Sequence, residues 1–439
     1  MSTVPMSRST DCDFDFLIVG AGVTGAVMAN LVLARRLAAR GRVAVIADRL
    51  VLPVTAAASD PKAANPNANP DWDLRVFALS RASQRLLTLC GVWQLLPPQK
   101  MCAYERMCVW DAGGEPSGLG SVTFDCAELG EPNLGFIVEG RALQQQCQRA
   151  ASAAGVVFIE ASIAAVETGD ARICVRTSDG RELKSQLLIG ADGVDSATRH
   201  RLGIRTAGHT YHQEALVAHV RTSKPHRYTA WQRFLPTGPL AFLPLPDGRS
   251  SIVWSASCPE AMRLHALDPT AFGAALTAAS GEILGSCELT TPVASFPLKM
   301  QYALDYVRPR AVLVGDAAHT VHPLAGQGLN LGLLDCASLA EVLGSGLSRF
   351  GSAGFLGEHA LLRRYERWRR SENLLAATAL DGLERLFSSD NPTVGRWRVA
   401  ALGAVERLPF IKRELAARAL GLSGDLPDFL EADGIREPA

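Results

Sequence analysis

The alternation of apolar and polar positions near the start of this chain predicts a strand, a helix and a second strand. Phe14 to Val19 is a strand-favouring apolar run, and Val43 to Ala47 is another. An Ala- and Leu-rich stretch between them reads as helix to about Ala39. Asp73 to Ser80 leads into a helix through about Cys90. Arg141 to Ala154 has helical pattern and precedes a strand at Val156 to Glu160. Residues 172–177 and 182–190 read as strands, the second running into Ala191-Asp192-Gly193. From about Ala215 to Ser257 short apolar runs recur between turn signals such as Pro236-Thr237-Gly238-Pro239 and Asp247-Gly248. That pattern predicts a separate β layer. A helix near Pro269 to Ala279 follows, and the chain is expected to rejoin its first unit at about Ala294. Everything after Asp335 reads helical, while residues 54–72, rich in Ala, Pro and Asn, show neither period and read as a mobile surface insertion.

The turn after the first strand is Gly20-Ala21-Gly22-Val23-Thr24-Gly25. In a Rossmann unit the first glycine makes the tight turn and the second lets the backbone approach a pyrophosphate. The third packs helix against strand, and an acid ending the second strand, here Asp48, takes ribose hydroxyls. Alone, the motif does not separate FAD from NAD. The expected fold is α/β (mixed α+β): a discontinuous Rossmann-like unit (1–80, 98–205, 294–345), an inserted antiparallel β-sheet unit (81–97, 206–293) and a helical C-terminal region (346–439).

Residues 311–332, AVLVGDAAHTVHPLAGQGLNLG, carry the most chemistry. An apolar strand from Ala311 to Gly315 ends in Asp316, where a carboxylate accepts hydrogen bonds from a polyol. A turn with His319, His322 and Pro323 follows, then Gly326-Gln327-Gly328 opens a helix near Leu329 and Asn330. Free N–H groups and partial positive charge there suit an electron-rich ring that becomes anionic. A flavin fits that description. His319 and His322 lack a third ligand at useful spacing, so no metal site is expected.

Bulk properties narrow the partners. Forty-four basic residues balance forty-four acidic ones, which gives no footprint for nucleic acid. The ten cysteines form no CxxC pair, so a reduced, cytoplasmic setting is expected. The start of the chain shows no signal-peptide pattern, and no uninterrupted apolar stretch of transmembrane length is seen.

Four segments occur in order: GAGVTG, DLRVFALS, GADGVDSATR and GDAAHTVHPLAGQGLNLG. Together they resemble the single-component flavin monooxygenases with the para-hydroxybenzoate hydroxylase fold. WQRFLPTGPLAFLPLPDGRSSIVW (231–254) and HPLAGQGLNLGLLD (322–335) bring the resemblance closer to the ubiquinone-biosynthesis hydroxylases. The resemblance implies that Gly20, Gly22, Val23, Thr24 and Gly25 cradle the FAD pyrophosphate and that Asp48 holds the adenosine ribose. It implies that Arg75 and Arg141 lie near FAD, with Gly140 standing where the family often has asparagine. Asp192 and Gly193 would serve FAD and reduced nicotinamide. Gly315 and Asp316 would meet the ribityl chain, Pro323 the flavin face, and Gly326, Gln327, Gly328, Leu329 and Asn330 the ring edge.

The implied chemistry is FAD-dependent hydroxylation of a prenylated phenol or quinol precursor of ubiquinone. NAD(P)H and O2 are the co-substrates, and a flavin C4a-hydroperoxide transfers the oxygen. Trp231, Phe234, Leu240, Phe242, Leu243 and Trp254 are expected to wall the substrate pocket, although sheet core alone would explain them. Tyr211, His212 and His219 are candidates for a base by location only. Other proteins of ubiquinone biosynthesis are implied partners. A C-terminal arginine run (Arg363, Arg364, Arg367, Arg369, Arg370) reads as a solvated face, with peripheral contact at an inner membrane surface left open. Two alternatives remain: a same-fold hydroxylase of another phenol or polyketide, and a non-catalytic FAD-binding scaffold.

Overall fold

The computed structural model describes residues 12–51, 72–321, 326–350, 355–387 and 391–430. The expected insertion at 54–72 lies, apart from Trp72, outside them. Five strands run parallel in the order Val157–Glu160, Val43–Ala47, Phe14–Val19, Glu182–Gly190 and Ala311–Leu313. Their apolar runs are nearly continuous because both faces are covered. Phe16, Ile18, Val43, Val45, Leu187 and Ile189 pack under the helices Val23–Ala34 and Gly328–Phe350. Leu17, Val19, Ala44 and Ile46 point the other way, onto Ile163, Ile173 and Val175 of an antiparallel hairpin.

The strand order reverses between Phe14–Val19 and Glu182–Gly190, where Val19 stands beside Gly190. Open α/β sheets bind ligands beyond the carboxyl ends at such a point. Gly20, Ala191 and Val314 follow those ends directly, so the three motif-bearing turns converge by topology.

A second, nine-stranded sheet runs from His319–Thr320 through Ala294–Ala303, Thr206–Thr222, Ser250–Ser257, Gly238–Pro244, Thr229–Leu235 and Arg106–Asp111 to Ser121–Asp125. Cys287–Leu289 pairs with its longest strand. Three segments lie on the other side of the boundary drawn from sequence. Ala294–Ala303 belongs to this sheet, and the chain rejoins the parallel one only at Val307–Arg308. Arg106–Asp111 and Ser121–Asp125 extend it from within 98–205. Leu86, Leu87, Val92 and Leu96, by contrast, share the core of the parallel sheet. His319 and Thr320 pair with Tyr302 and Gln301, so the segment after Asp316 crosses directly from one sheet to the other.

The region after 328 is helical: Gly328–Phe350, His359–Phe387, Pro392–Arg407 and Pro409–Ala419. Gly328–Arg349 is long and apolar enough to cross a membrane by length and composition, although Asn330, Asp335 and Glu341 interrupt its apolar run. Leu333, Cys336, Ala337, Ala340 and Leu343 nevertheless sit in the central core.

Candidate active site

The site starts from the glycine turn. Gly20 has φ +107°, and a Cβ there would stand 2.3 Å from the Ala191 carbonyl oxygen. Glycine alone lets the first strand's turn pass so close to the Asp192 loop. A Cβ on Gly25 would come 1.9 Å from the Gly20 oxygen, so this glycine seats the helix on the turn. A Cβ on Gly22 would meet nothing within 4 Å. Gly22 is therefore open to the cleft, the condition for a close-approaching phosphate. Gln144 and Gln148 donate to the Ala21 carbonyl at 3.1 and 2.6 Å, and so pin the turn from the Gly140–Ala154 helix.

A cleft of about 1020 Å³ extends from this turn to the nine-stranded sheet. That is at the top of the ~300–1,000 Å³ typical of small-molecule sites. Gly20, Gly22, Val23, Thr24, Asp48, Arg75, Arg141, Asp192, Gly193, Asp316, Gly326, Gly328 and Leu329 all line it. The Arg75 guanidinium lies over the Phe77 ring, 4.9 Å from its centroid. Burial pushes the Asp316 carboxyl above its ordinary range, while His319 and Arg75 pull it back. A Cβ on Gly140 would stand 2.8 Å from the Arg75 carbonyl oxygen, which accounts for glycine at that position.

Four expected contacts do not reach the cleft lining. Gly25 packs within the turn. Gly315, at φ +61°, fits against Thr24. Gln327 points its amide toward the Ala419 carbonyl at 3.5 Å. Asn330 is a clamp: it accepts from the Ser80 N–H at 3.0 Å and the Ser83 hydroxyl at 2.7 Å, and donates to the Ala78 carbonyl at 2.9 Å. It thereby fixes the start of the Gly328–Phe350 helix against the segment carrying Arg75. Pro323 and His322 lie outside the described residues.

Asp192 is organised by its own loop. Its carboxylate accepts from the Ser196 hydroxyl and from the Thr198 N–H at 2.8 Å. Buried Arg199 donates to the Val194 and Ala317 carbonyls, each at 2.8 Å. The Asp192 and Asp316 turns are thus joined by a side chain that motif matching passed over.

Beneath Asp316 lies a second group the sequence reading did not assign. Asp335, fully buried, accepts from Gly315 N–H at 3.0 Å, Arg369 Nε at 2.9 Å and Asn373 Nδ2 at 2.9 Å, and lies 2.6 Å from His319 Nε2. Burial alone would raise its carboxyl, but His319, Arg369 and Asn373 together hold it well below the usual range. His319 is therefore held against Asp335 in the core rather than turned into the cleft. Arg369 departs from the expected solvated arginine face for the same reason.

Four of the six expected wall residues come out opposite in phase to expectation. Trp231, Leu240, Phe242 and Trp254 pack under the helices Cys258–His265 and Pro269–Ser280. Phe234 stacks on Phe387 with ring centroids 3.8 Å apart. Of the six expected residues only Leu243 lines the cleft. The wall is formed by Met107, Ala230, Gln232, Pro239, Ala241, Val253 and Ser255. Side chains alternate along a strand, so Trp231, Leu240, Phe242 and Trp254 fill the core and their small neighbours face the cleft. Phe234 shares the face of Ala230 and Gln232 but is covered by Phe387. None of Tyr211, His212 and His219 lines it; Tyr211 donates to Asp381 at 3.0 Å.

The donor set suits FAD: an open glycine at a phosphate-sized approach, two cleft arginines, an acid at each end and a helix start between them. Residues 149–373 match the FAD binding domain family. The ubiquinone hydroxylase UbiL of Rhodospirillum rubrum is 37% identical over 96% of this chain and 92% of its own length. The 3-demethoxyubiquinol 3-hydroxylase of Escherichia coli is 35% identical over 81% of this chain and 89% of its own. In fold, the crystal structure of p-nitrophenol 4-monooxygenase from Pseudomonas putida superposes with a TM-score of 0.71 at 16% identity, over 94% of this chain and 99% of that one. With its FAD-binding turns converging on one cleft, the chain belongs to the FAD-dependent hydroxylases of ubiquinone biosynthesis.

Proposed function

We propose that this protein hydroxylates the aromatic ring of a prenylated phenol or quinol precursor of ubiquinone, with FAD bound and NAD(P)H and O2 consumed. The observation that carries the reading is one continuous cleft, nucleotide-type turns at one end and a small-residue, mainly apolar sheet face at the other. Gly22, Thr24, Arg75 and Arg141 would hold the pyrophosphate and Asp48 the ribose. Asp316 would take the ribityl hydroxyls. The first-turn N–H groups after Gly326 lack intrahelical partners and would face the ring edge. FAD, when bound, supplies the redox chemistry that activates O2. The chain's task is to orient the ring and exclude water, which Ala230, Ala241, Leu243 and Val253 suit.

The test compares NADPH oxidation with a prenylphenol, with a soluble phenol and with neither, and weighs the product. Stimulation by the prenylphenol with gain of one oxygen atom supports the reading. Stimulation only by soluble phenols would favour the wider fold family's other substrates, and bound flavin that NADPH never reduces would favour a scaffold.

A peripheral location at the cytoplasmic face of an inner membrane is a further part of this proposal. Trp397 and Phe410 are 71% and 70% exposed, with Leu408 and Leu415 also exposed. Arg396, Arg407 and Arg413 are exposed near them. Apolar side chains flanked by arginine suit an anionic bilayer surface. Co-sedimentation with anionic but not zwitterionic vesicles, lost in Trp397→Ser/Phe410→Ser, is expected; equal recovery without vesicle binding would contradict it.

A further inference from the structure

The strand register places the cleft residues Gln232, Ala241 and Val253 in one row of the sheet. Val109, Gln232, Ala241, Val253, Val217 and Ala294 stand side by side across six strands. Five of them are apolar. Gln232, only 5% exposed, is the exception, and it lines the cleft. Among the described residues no group bonds its amide. The amide opens onto the cleft, and a ligand that displaces water there without meeting its N–H and carbonyl groups would leave them unsatisfied, which is unfavourable. The sheet's other polar side chains at the cleft, Ser255 and Thr320, each offer a single hydroxyl. Gln232 offers two donors and an acceptor on separate atoms, without charge.

We propose that Gln232 is the specificity-determining residue that hydrogen-bonds a ring hydroxyl of the substrate and so sets which ring carbon faces the flavin. The inference rests on the hydroxylase reading above and deepens it. Ala241 stands beside Gln232 in the register, and Val253 beside Ala241. These small side chains leave room for a flat ring while the amide takes the oxygen. A neutral amide also tolerates either protonation state of a phenol: its N–H groups meet the phenolate, and its carbonyl meets the O–H. An apolar wall alone discriminates weakly between a ring with and without a hydroxyl, whereas a buried amide that needs a partner discriminates strongly.

The test uses the FAD-loaded full chain and two probes, a prenylphenol and the matching prenylbenzene, each titrated by the perturbation of flavin absorbance. Gln232→Leu is expected to keep wild-type flavin content and Tm. It should weaken prenylphenol binding roughly 10- to 100-fold, while prenylbenzene binds as to wild type. Product from the variant should show scattered ring positions. Unchanged prenylphenol affinity, or equal weakening of both probes, would overturn the proposal in favour of simple packing. Should Gln232→Leu lose flavin, Gln232→Met keeps the side-chain length and decides between the same outcomes. Wild-type protein that binds no prenylphenol would overturn the substrate reading, and this assignment with it; a responsive wild type with an unaffected variant would overturn this assignment alone.

Discussion

The Arg199 guanidinium donates to the carbonyl oxygen of Ala317 at 2.8 Å, across 118 positions of sequence. Its other nitrogen holds Val194 in the Asp192 loop. One buried cation therefore fixes the spacing between the two acidic turns of the cleft. Arg199→Met removes both bonds and leaves two carbonyls without their donor. It is expected to cost about 2–5 kcal/mol in urea unfolding and to reduce flavin retention in the purified protein. Wild-type stability with full flavin would show that the link is dispensable.

The three glycines of the first turn should separate folding from binding. Gly25→Ala places a Cβ against the Gly20 oxygen, and Gly20→Ala places one against Ala191 at a positive φ. Both variants should lose stability by several kcal/mol, about 3 or more. Gly22→Ala meets nothing in the fold, so its apo-protein should melt as wild type does while FAD affinity falls. Thermal melts of apo-protein and FAD titrations read the two effects separately. A Gly22→Ala protein with normal FAD affinity would remove Gly22 from the pyrophosphate site.

Asp316 trades stability for binding. Burial raises its carboxyl above the unfolded value, so the folded state binds a proton more readily than the unfolded chain. That imposes a cost present above both values and relieved as pH falls. Asp316→Asn should therefore give apo-protein at pH 7 that melts at the same temperature or higher, yet retains less flavin. A lower apo melting temperature with flavin occupancy unchanged would contradict both halves.

Asp335 behaves in the opposite sense. Its partners His319, Arg369 and Asn373 hold it below the unfolded value. The stability it contributes is thus present above about pH 3.9 and lost as pH falls from there toward the folded value. Asp335→Asn should cost about 3–5 kcal/mol at pH 7 and flatten the acid limb of the stability curve. Denaturant unfolding at roughly pH 7, 5, 4 and 3 would show it. A variant as acid-sensitive as wild type would assign the acid limb to other groups.

The parts of this fold written in short periods were legible from the chain itself. Gly20, Asp48 and Asp316 sit at strand ends, where local pattern specifies direction, and the structure brings all three to one cleft. The substrate wall was misread because aromatic residues draw attention to themselves. Trp231 and Trp254 mark the core phase of their strands, and the cleft phase belongs to unobtrusive neighbours such as Gln232 and Val253. Ala294–Ala303 was assigned to the wrong sheet because strand pattern does not name a partner strand. Arg199, Asn330 and Asp335 were missed as tethers because their partners lie far along the chain, at Ala317, Ser80 and Arg369.

The most direct test supplies the purified, FAD-loaded protein with NADPH, a prenylphenol and isotopically heavy O2, and measures the label in the product. The account predicts one heavy oxygen atom in the hydroxylated ring for each NADPH consumed. Product oxygen drawn from water, or NADPH consumption that yields only hydrogen peroxide with every prenylphenol offered, would contradict it.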